Sequence, residues 1–287
     1  MTPSDFFHTL LRTLQASLSD AEAQTVAFWL LDDVAGLSRS DVLLGRADLL
    51  PTGLKARLEQ MGGRIAAGEP VQYVLGHTDF CGLRIGVAPG VLIPRPETED
   101  VVESCYGFSP RRIYDLCTGS GCMALALKHR FPAAQVEGWD LSERALQTAR
   151  ENAERLQLDV TFRRVDVLNI PDGPKGEEGR ETTLLVSNPP YVCESERGSM
   201  QSVVLDHEPA EALFVPDDDA LRYYRAIARW GRVLLRDGDP IVVEVNRRFA
   251  TDVARLLESE GYAETRVLDD RYGNQRTVQA RRCCAVD

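Results

Sequence analysis

The densest chemical signal in this 287-residue chain is the tetrapeptide Asn188-Pro189-Pro190-Tyr191. Neither proline has a backbone N–H and each locks φ, so helix and central strand both stop here and a rigid corner remains. That corner is rich in acceptors: the proline carbonyls and the Asn188 side-chain carbonyl accept, while Tyr191 adds a flat face and a hydroxyl. A planar –NH2 group fits it. An amide nitrogen is a poor nucleophile because its lone pair is delocalised, so the corner contributes orientation and desolvation, which for well-aligned reactants correspond to roughly 7 to 11 kcal/mol of barrier. An electrophile that already bears positive charge, such as a sulfonium methyl, needs no acid to activate it. The histidines agree with this, since His8, His77, His129 and His207 are scattered and form no HExxH pair. The plainer reading is an ordinary Asn-Pro turn. Its position directly after the strand-like run Leu184-Leu185-Val186-Ser187 argues against that.

A second signal lies upstream. Asp115-Leu116-Cys117-Thr118-Gly119-Ser120-Gly121 closes one strand-like run and opens a helical one, and Asp140 ends the next strand-like run nineteen residues after Gly121. Glycines let the backbone turn tightly and approach a ligand, and a carboxylate at the second strand tip can accept from both ribose hydroxyls. Gly119-x-Gly121-x-x-Ala124 also satisfies the dinucleotide fingerprint, so the turn alone leaves the nucleotide open. Asp166, at the end of the third such run, faces either an adenine amino group or a helix N-terminus that it caps.

The elements that must carry these groups follow from periodicity. Phe6, Phe7, Leu10, Leu11, Leu14 and Leu18 recur at helical steps, Ser19-Asp20-Ala21-Glu22 reads as a capping box, Ser38 begins another start signal and Gly62-Gly63 weakens a longer helix ending near Gly68. Residues 1–78 therefore read as a small helical domain. The Gly/Pro-punctuated stretch 79–94 reads as a β-hairpin linker, and from residue 95 to 287 strand-like and helix-like runs alternate. Such alternation predicts an α/β, Rossmann-like domain with a mostly parallel sheet whose ligand sits at the carboxyl ends of its strands. Pro171 to Glu181 is expected to be a surface excursion, and the long loop from Val192 to Asp219 a place where a site is built.

Composition narrows the function classes. Lys and Arg number 33 against 44 Asp and Glu, a formal charge of −11, which disfavours a broad phosphate-binding surface. No stretch approaches a membrane span, and the first forty residues are too acidic for a transit peptide. Seven cysteines form neither a CxxC pair nor a zinc spacing, so a reducing compartment and no metal are expected. A cytoplasmic monomer is the expectation. Arg222, Arg225, Arg229, Arg232 and Arg236 fall on one helical stripe, read as a solvated face; Cys283-Cys284 reads as a frayed tail, and Trp139 as core.

Taken together, these segments resemble the protein-(glutamine-N5) methyltransferases that modify peptide chain release factors. The resemblance runs through Gly68-Glu69-Pro70-Val71-Gln72-Tyr73, Leu92-Ile93-Pro94-Arg95-Pro96-Glu97-Thr98-Glu99, the glycine turn, Asn188-Pro189-Pro190-Tyr191, Glu208-Pro209 with Ala212-Leu213, and a C-terminal hairpin around Arg271 to Arg281. It implies a class I methyltransferase domain with a seven-stranded sheet and S-adenosylmethionine as cofactor. It further implies cofactor contacts from Asp115, Cys117, Thr118, Gly119, Ser120, Gly121, Asp140, Asp166, Val167 and Asn188. Asn188, Pro189, Pro190 and Tyr191 would hold the glutamine of a Gly-Gly-Gln loop, with Asn188, Pro189 and Tyr191 acting in catalysis, and the helical domain would grip the class 1 release factor. The chain departs from the family pattern at Cys117, where glycine is usual and where the change matters little if φ is negative, and at Val167, often a larger side chain.

Four other readings compete. An adenine-N6 methyltransferase of nucleic acids uses a similar corner but predicts a basic groove and a target-recognition segment. A ribosomal-protein glutamine is a second possible acceptor. An NAD-dependent oxidoreductase rests on the glycine spacing alone and lacks a Tyr/Lys proton donor, and a non-catalytic adaptor is at odds with an intact Asn188 to Tyr191.

Overall fold

The computed structural model describes residues 5–170 and 181–283. The excursion expected after Pro171 and the tail cysteine Cys284 lie, apart from Glu181, outside the described residues. Two compact units divide the chain: Met1–Gly76 with Ser202–His207, and His77–Gln201 with Glu208–Asp287.

The first unit holds α1 (Asp5–Leu14), α2 (Asp20–Ala35), α3 (Arg39–Leu43), α4 (Thr52–Ala66) and α5 (Val71–Leu75). Ser19 and Glu22 form the capping box at the start of α2, Ser38 and Asp41 form another at α3, and Gly36 in the left-handed conformation ends α2. Phe6, Phe7, Leu10 and Leu14 of α1 pack with Leu30, Leu31, Leu58, Met61 and Ile65 into one core. Gly62 does not break α4: a Cβ there would sit 2.8 Å from Leu10 Cδ1, so the glycine lets α1 and α4 come close.

The second unit opens with a hairpin, β1 (His77–Phe80) and β2 (Leu83–Gly86), whose Phe80 and Ile85 are buried in its core. α6 (Pro96–Ser104) begins with proline in its first turn, where a missing N–H costs nothing. Then come β3 (Arg112–Leu116), α7 (Cys122–Arg130), β4 (Gln135–Asp140), α8 (Glu143–Leu156), β5 (Thr161–Arg164) and β6 (Thr183–Ser187). Short strands β7 (Val192–Cys193) and β8 (Phe214–Val215) pair beyond β6, and α9 (Ser202–His207), counted with the first unit, falls between them in sequence. The chain continues with α10 (Arg222–Leu234), β9 (Pro240–Glu244), α11 (Ala250–Ser259), β10 (Tyr262–Asp269) and β11 (Gln275–Arg282).

The sheet has seven strands in the order β10-β11-β9-β6-β3-β4-β5, with β11 antiparallel to both its neighbours and the other pairs parallel. Alternation along each strand divides the core. Ile113, Leu184, Val186 and Val242 face α7 and α8, whereas Tyr114, Leu116, Leu185, Ile241 and Val243 face α10 and α11. Trp139 lies in the second cluster, edge-on to Tyr114 and Trp230. Because β9, β6, β3, β4 and β5 run parallel, their carboxyl ends share one edge. Among the described residues, no helix is long and apolar enough to cross a membrane, and no group of His, Cys, Asp or Glu could hold a metal ion.

Candidate active site

A cavity of about 250 Å³ opens at that edge. Its walls bring together Cys117 and Gly119 from the turn after β3, Asp140 and Leu141 after β4, Val165, Asp166 and Val167 after β5, and Asn188 and Pro190 after β6. Further wall comes from Gly90, Val91 and Leu92, from Pro209, Glu211 and Ala212, and from Tyr223 of α10. Four separate strand ends thus meet around one volume.

Asp140 fixes the turn as well as lining the cavity. Its Oδ2 accepts from the Gly119 N–H at 2.9 Å and its Oδ1 from the Ser142 N–H at 2.9 Å. Burial pushes its carboxyl up, and these backbone donors oppose the shift. Gly121, at φ 80°, is required: a Cβ there would meet Ala149 at 3.0 Å and the Phe162 ring at 3.1 Å. Cys117 has φ 62°, so the condition under which its replacement of glycine would matter little is not met. A left-handed residue with a side chain costs about 1 to 2 kcal/mol, the price of cysteine where glycine would fit without strain. Burial, reinforced by Asp140 and Asp115, holds its thiol well above the ordinary range, so it is a poor nucleophile.

Asp115, Thr118, Ser120 and Gly121 belong to the turn but do not line the cavity. Asp115 shares the α7 side of β3 with Ile113, and its Oδ2 accepts from the Thr118 hydroxyl at 2.6 Å and from the Ala124 N–H at 3.1 Å. Its Oδ1 is buried without a partner, and burial pushes the carboxyl up to about 7. Asp166 caps no helix, since only a turn follows it: Oδ1 accepts from the Leu168 N–H at 3.0 Å, and the side chain lines the cavity. Val167 lines it too, while its carbonyl accepts from the Trp230 indole at 3.0 Å.

The Asn188 corner is braced from elsewhere in the chain. Asn188 Nδ2 donates to Thr98 Oγ1 at 3.2 Å, the Thr98 hydroxyl donates to Glu244 Oε2 at 2.6 Å, and the Tyr191 hydroxyl donates to Glu244 Oε1 at 2.9 Å. Asn246 Nδ2 holds the Tyr191 carbonyl at 3.3 Å. Tyr191 therefore offers a ring face but no hydroxyl, and neither it nor Pro189 lines the cavity. Glu208, almost fully buried, accepts from the Ile93 N–H at 3.1 Å and pairs with Arg95 at 2.6 Å, tying the long loop to the segment before α6. The patterns that picked out the corner carried no mark of Glu244; an acid closing an apolar strand, Ile241-Val242-Val243-Glu244, was the available signal.

Charge discriminates between ligands. Asp140, Asp166 and Glu211 put three carboxylates on the wall, and none of the described lining residues is Lys or Arg. A pyrophosphate would be repelled there, whereas a ligand carrying a sulfonium and an ammonium is favoured. On the arginine stripe, Arg225 pairs with Asp219 at 3.1 Å, Arg232 with Glu260 at 3.2 Å and Arg236, just past α10, with Asp239 at 3.5 Å, while Arg222 lies over the Tyr223 ring.

Residues 9–76 match the family model described as PrmC N-terminal domain, and residues 113–184 match one described as Methyltransferase domain. The chain is 41% identical, over 94% of its length and 97% of the relative's, to the release factor glutamine methyltransferase of Bacteroides thetaiotaomicron. It is 34% identical to the protein of that name from Cereibacter sphaeroides, over 98% of this chain and 99% of the other. A solved structure, the release factor-specific protein-(glutamine-N5) methyltransferase of Alicyclobacillus acidocaldarius, is 27% identical and covered in full by 70% of this chain, with a TM-score of 0.40.

Proposed function

From the fact that this chain belongs to the release factor glutamine methyltransferase family, we infer that it transfers a methyl group from S-adenosylmethionine to the side-chain amide nitrogen of the glutamine in a release factor's Gly-Gly-Gln loop. The observation that carries the reading is a single cavity lined both by Asp140, the ribose carboxylate, and by Asn188 and Pro190, the amide-holding corner. One cavity reached by both sets of residues supports direct transfer from donor to acceptor.

S-adenosylmethionine supplies an electrophilic sulfonium methyl when bound. Asp140 accepts from the ribose hydroxyls, Leu141, Val165 and Val167 supply apolar walls for the adenine, and Asp166 takes its amino group. On the acceptor side, Asn188 Oδ1 and a proline carbonyl take the two amide hydrogens and aim the nitrogen at the methyl carbon. The nitrogen lone pair forms the new C–N bond, the C–S electron pair leaves with sulfur, and one amide proton passes to water. Orientation is the main contribution. In the helical unit Leu43, Leu44 and Leu49 are 56%, 55% and 82% exposed, an apolar surface suited to gripping the release factor.

Mass spectrometry of a release factor incubated with this protein and cofactor tests the assignment. One added methyl on the Gly-Gly-Gln glutamine is the expected result. An unchanged peptide overturns it.

A further inference from the structure

The orientation of the Asn188 side-chain amide is dictated from two residues away. Glu244 ends β9 at 1% exposure, and both its oxygens are approached by hydroxyls, Thr98 at 2.6 Å and Tyr191 at 2.9 Å. Burial raises the Glu244 carboxyl; the Thr98 and Tyr191 hydroxyls that donate to it and the charge of Arg276 of β11 oppose the rise, and Glu97 of α6 adds to it. A carboxylate accepts only. The single proton of the Thr98 hydroxyl is therefore committed to Glu244, and what Thr98 offers Asn188 is a lone pair. Only the NH2 end of Asn188 can use it, which is the 3.2 Å bond observed. The carbonyl end, Oδ1, is left for the other side.

We propose that Thr98 and Glu244 are positioning residues that fix the polarity of Asn188, and that this relay makes the acceptor site select a carboxamide over a carboxylate. The proposal rests on the reading that Asn188 receives a glutamine amide. Glutamine and glutamate are nearly isosteric, so shape cannot separate them. Donor and acceptor pattern can. A glutamine NH2 donates into Oδ1, whereas a glutamate oxygen would face Oδ1 acceptor to acceptor, and a buried polar group left in such a mismatch is costly. Were Asn188 free to turn over, its NH2 would meet the incoming group, and glutamate would be welcomed instead.

Thr98→Val keeps the shape and removes the relay; Thr98→Ser keeps the hydroxyl. The measurement is kcat and KM for methylation of a class 1 release factor, together with inhibition by the same protein carrying Gly-Gly-Glu in its loop and the Kd for S-adenosylmethionine. For Thr98→Val, kcat is expected to fall on the order of tenfold to a hundredfold from misorientation of the acceptor. Inhibition by the Gly-Gly-Glu protein should tighten at the same time, with cofactor Kd unchanged. Thr98→Ser should restore both kcat and discrimination. Equal kcat and equal discrimination in Thr98→Val overturn the proposal, as does a Thr98→Ser that is no better than Thr98→Val. Should Thr98→Val lose cofactor binding through misfolding, Glu244→Gln decides: glutamine can accept from only one of the two hydroxyls, so the same paired change is expected, and wild-type behaviour overturns the relay. A wild-type protein that leaves the Gly-Gly-Gln loop unmethylated would instead overturn the substrate reading, and the relay with it.

Discussion

The two halves of the cavity are built by different means. The nucleotide half is local: a turn of seven residues, a carboxylate on the next strand and a third strand tip, joined by backbone bonds such as Gly119 N–H to Asp140. The acceptor half is assembled from afar, since Asn188 leans on Thr98 ninety positions away and Thr98 on Glu244 a further 146. Binding a cofactor common to many enzymes needs only a turn that any parallel sheet can provide. Presenting one orientation of one amide needs a polar network whose every member is satisfied, and such networks are sited wherever the fold can supply partners.

The contrast can be broken most severely at its acceptor end. Asn188→Ala should lower kcat for release factor methylation by roughly a hundredfold to a thousandfold, as loss of one preorganised group at a reacting centre does. Calorimetry should meanwhile find cofactor affinity within a few-fold of wild type; a collapse of that affinity would merge the two halves. Asp140→Ala should reverse the pattern, weakening cofactor binding by roughly tenfold to a hundredfold through lost bonds to a charged acceptor. Its release factor affinity should stay intact.

The smaller effects concern stability. Asp115 is held near 7 in the fold against an ordinary value of 3.8, so the folded chain keeps a proton that the unfolded chain has lost. Folding stability contributed by this group therefore falls as pH rises from about 4 to about 7, by an amount on the order of a few kcal/mol. Chemical denaturation of wild type and Asp115→Asn across that range should show the gap between them shift accordingly, and a constant gap would remove the argument. Glu208→Ala leaves Arg95 and the Ile93 N–H without their acceptor, for a loss of about 2 kcal/mol measurable in the same way. Smallest of all, Cys117→Gly should be more stable than Cys117→Ala by about 1 kcal/mol, because only glycine escapes the left-handed penalty at φ 62°.

How much of this was legible in the sequence follows the same division. β4 ends at Asp140 and β6 at Ser187, where the strand-like runs end in the sequence, and Asp140, Asp166 and Asn188 reach the cavity because they sit at or just past strand tips. Asp115 was assigned to the cofactor because it stands in the turn's sequence; side-chain alternation along β3 sends it beneath the turn, toward α7. The sign of φ at Cys117 is set by the turn's closure and leaves no trace in residue type. Thr98 was quoted only as part of a segment, and Glu244 not at all, since a partner 146 residues distant has no spacing to betray it.

One feature of the sheet bears on how the acceptor is held. β11 inserts between β9 and β10, pairs Thr277 with Glu244, and brings Arg276 to the side of that carboxylate. The ends of β3, β4 and β5 supply most of the nucleotide side of the cavity, whereas Glu244 gains its flanking strand and countercharge only from β11, the most C-terminal of the described strands. The orientation of the acceptor thus depends on the docking of β11, a strand that contributes no wall to the cavity itself.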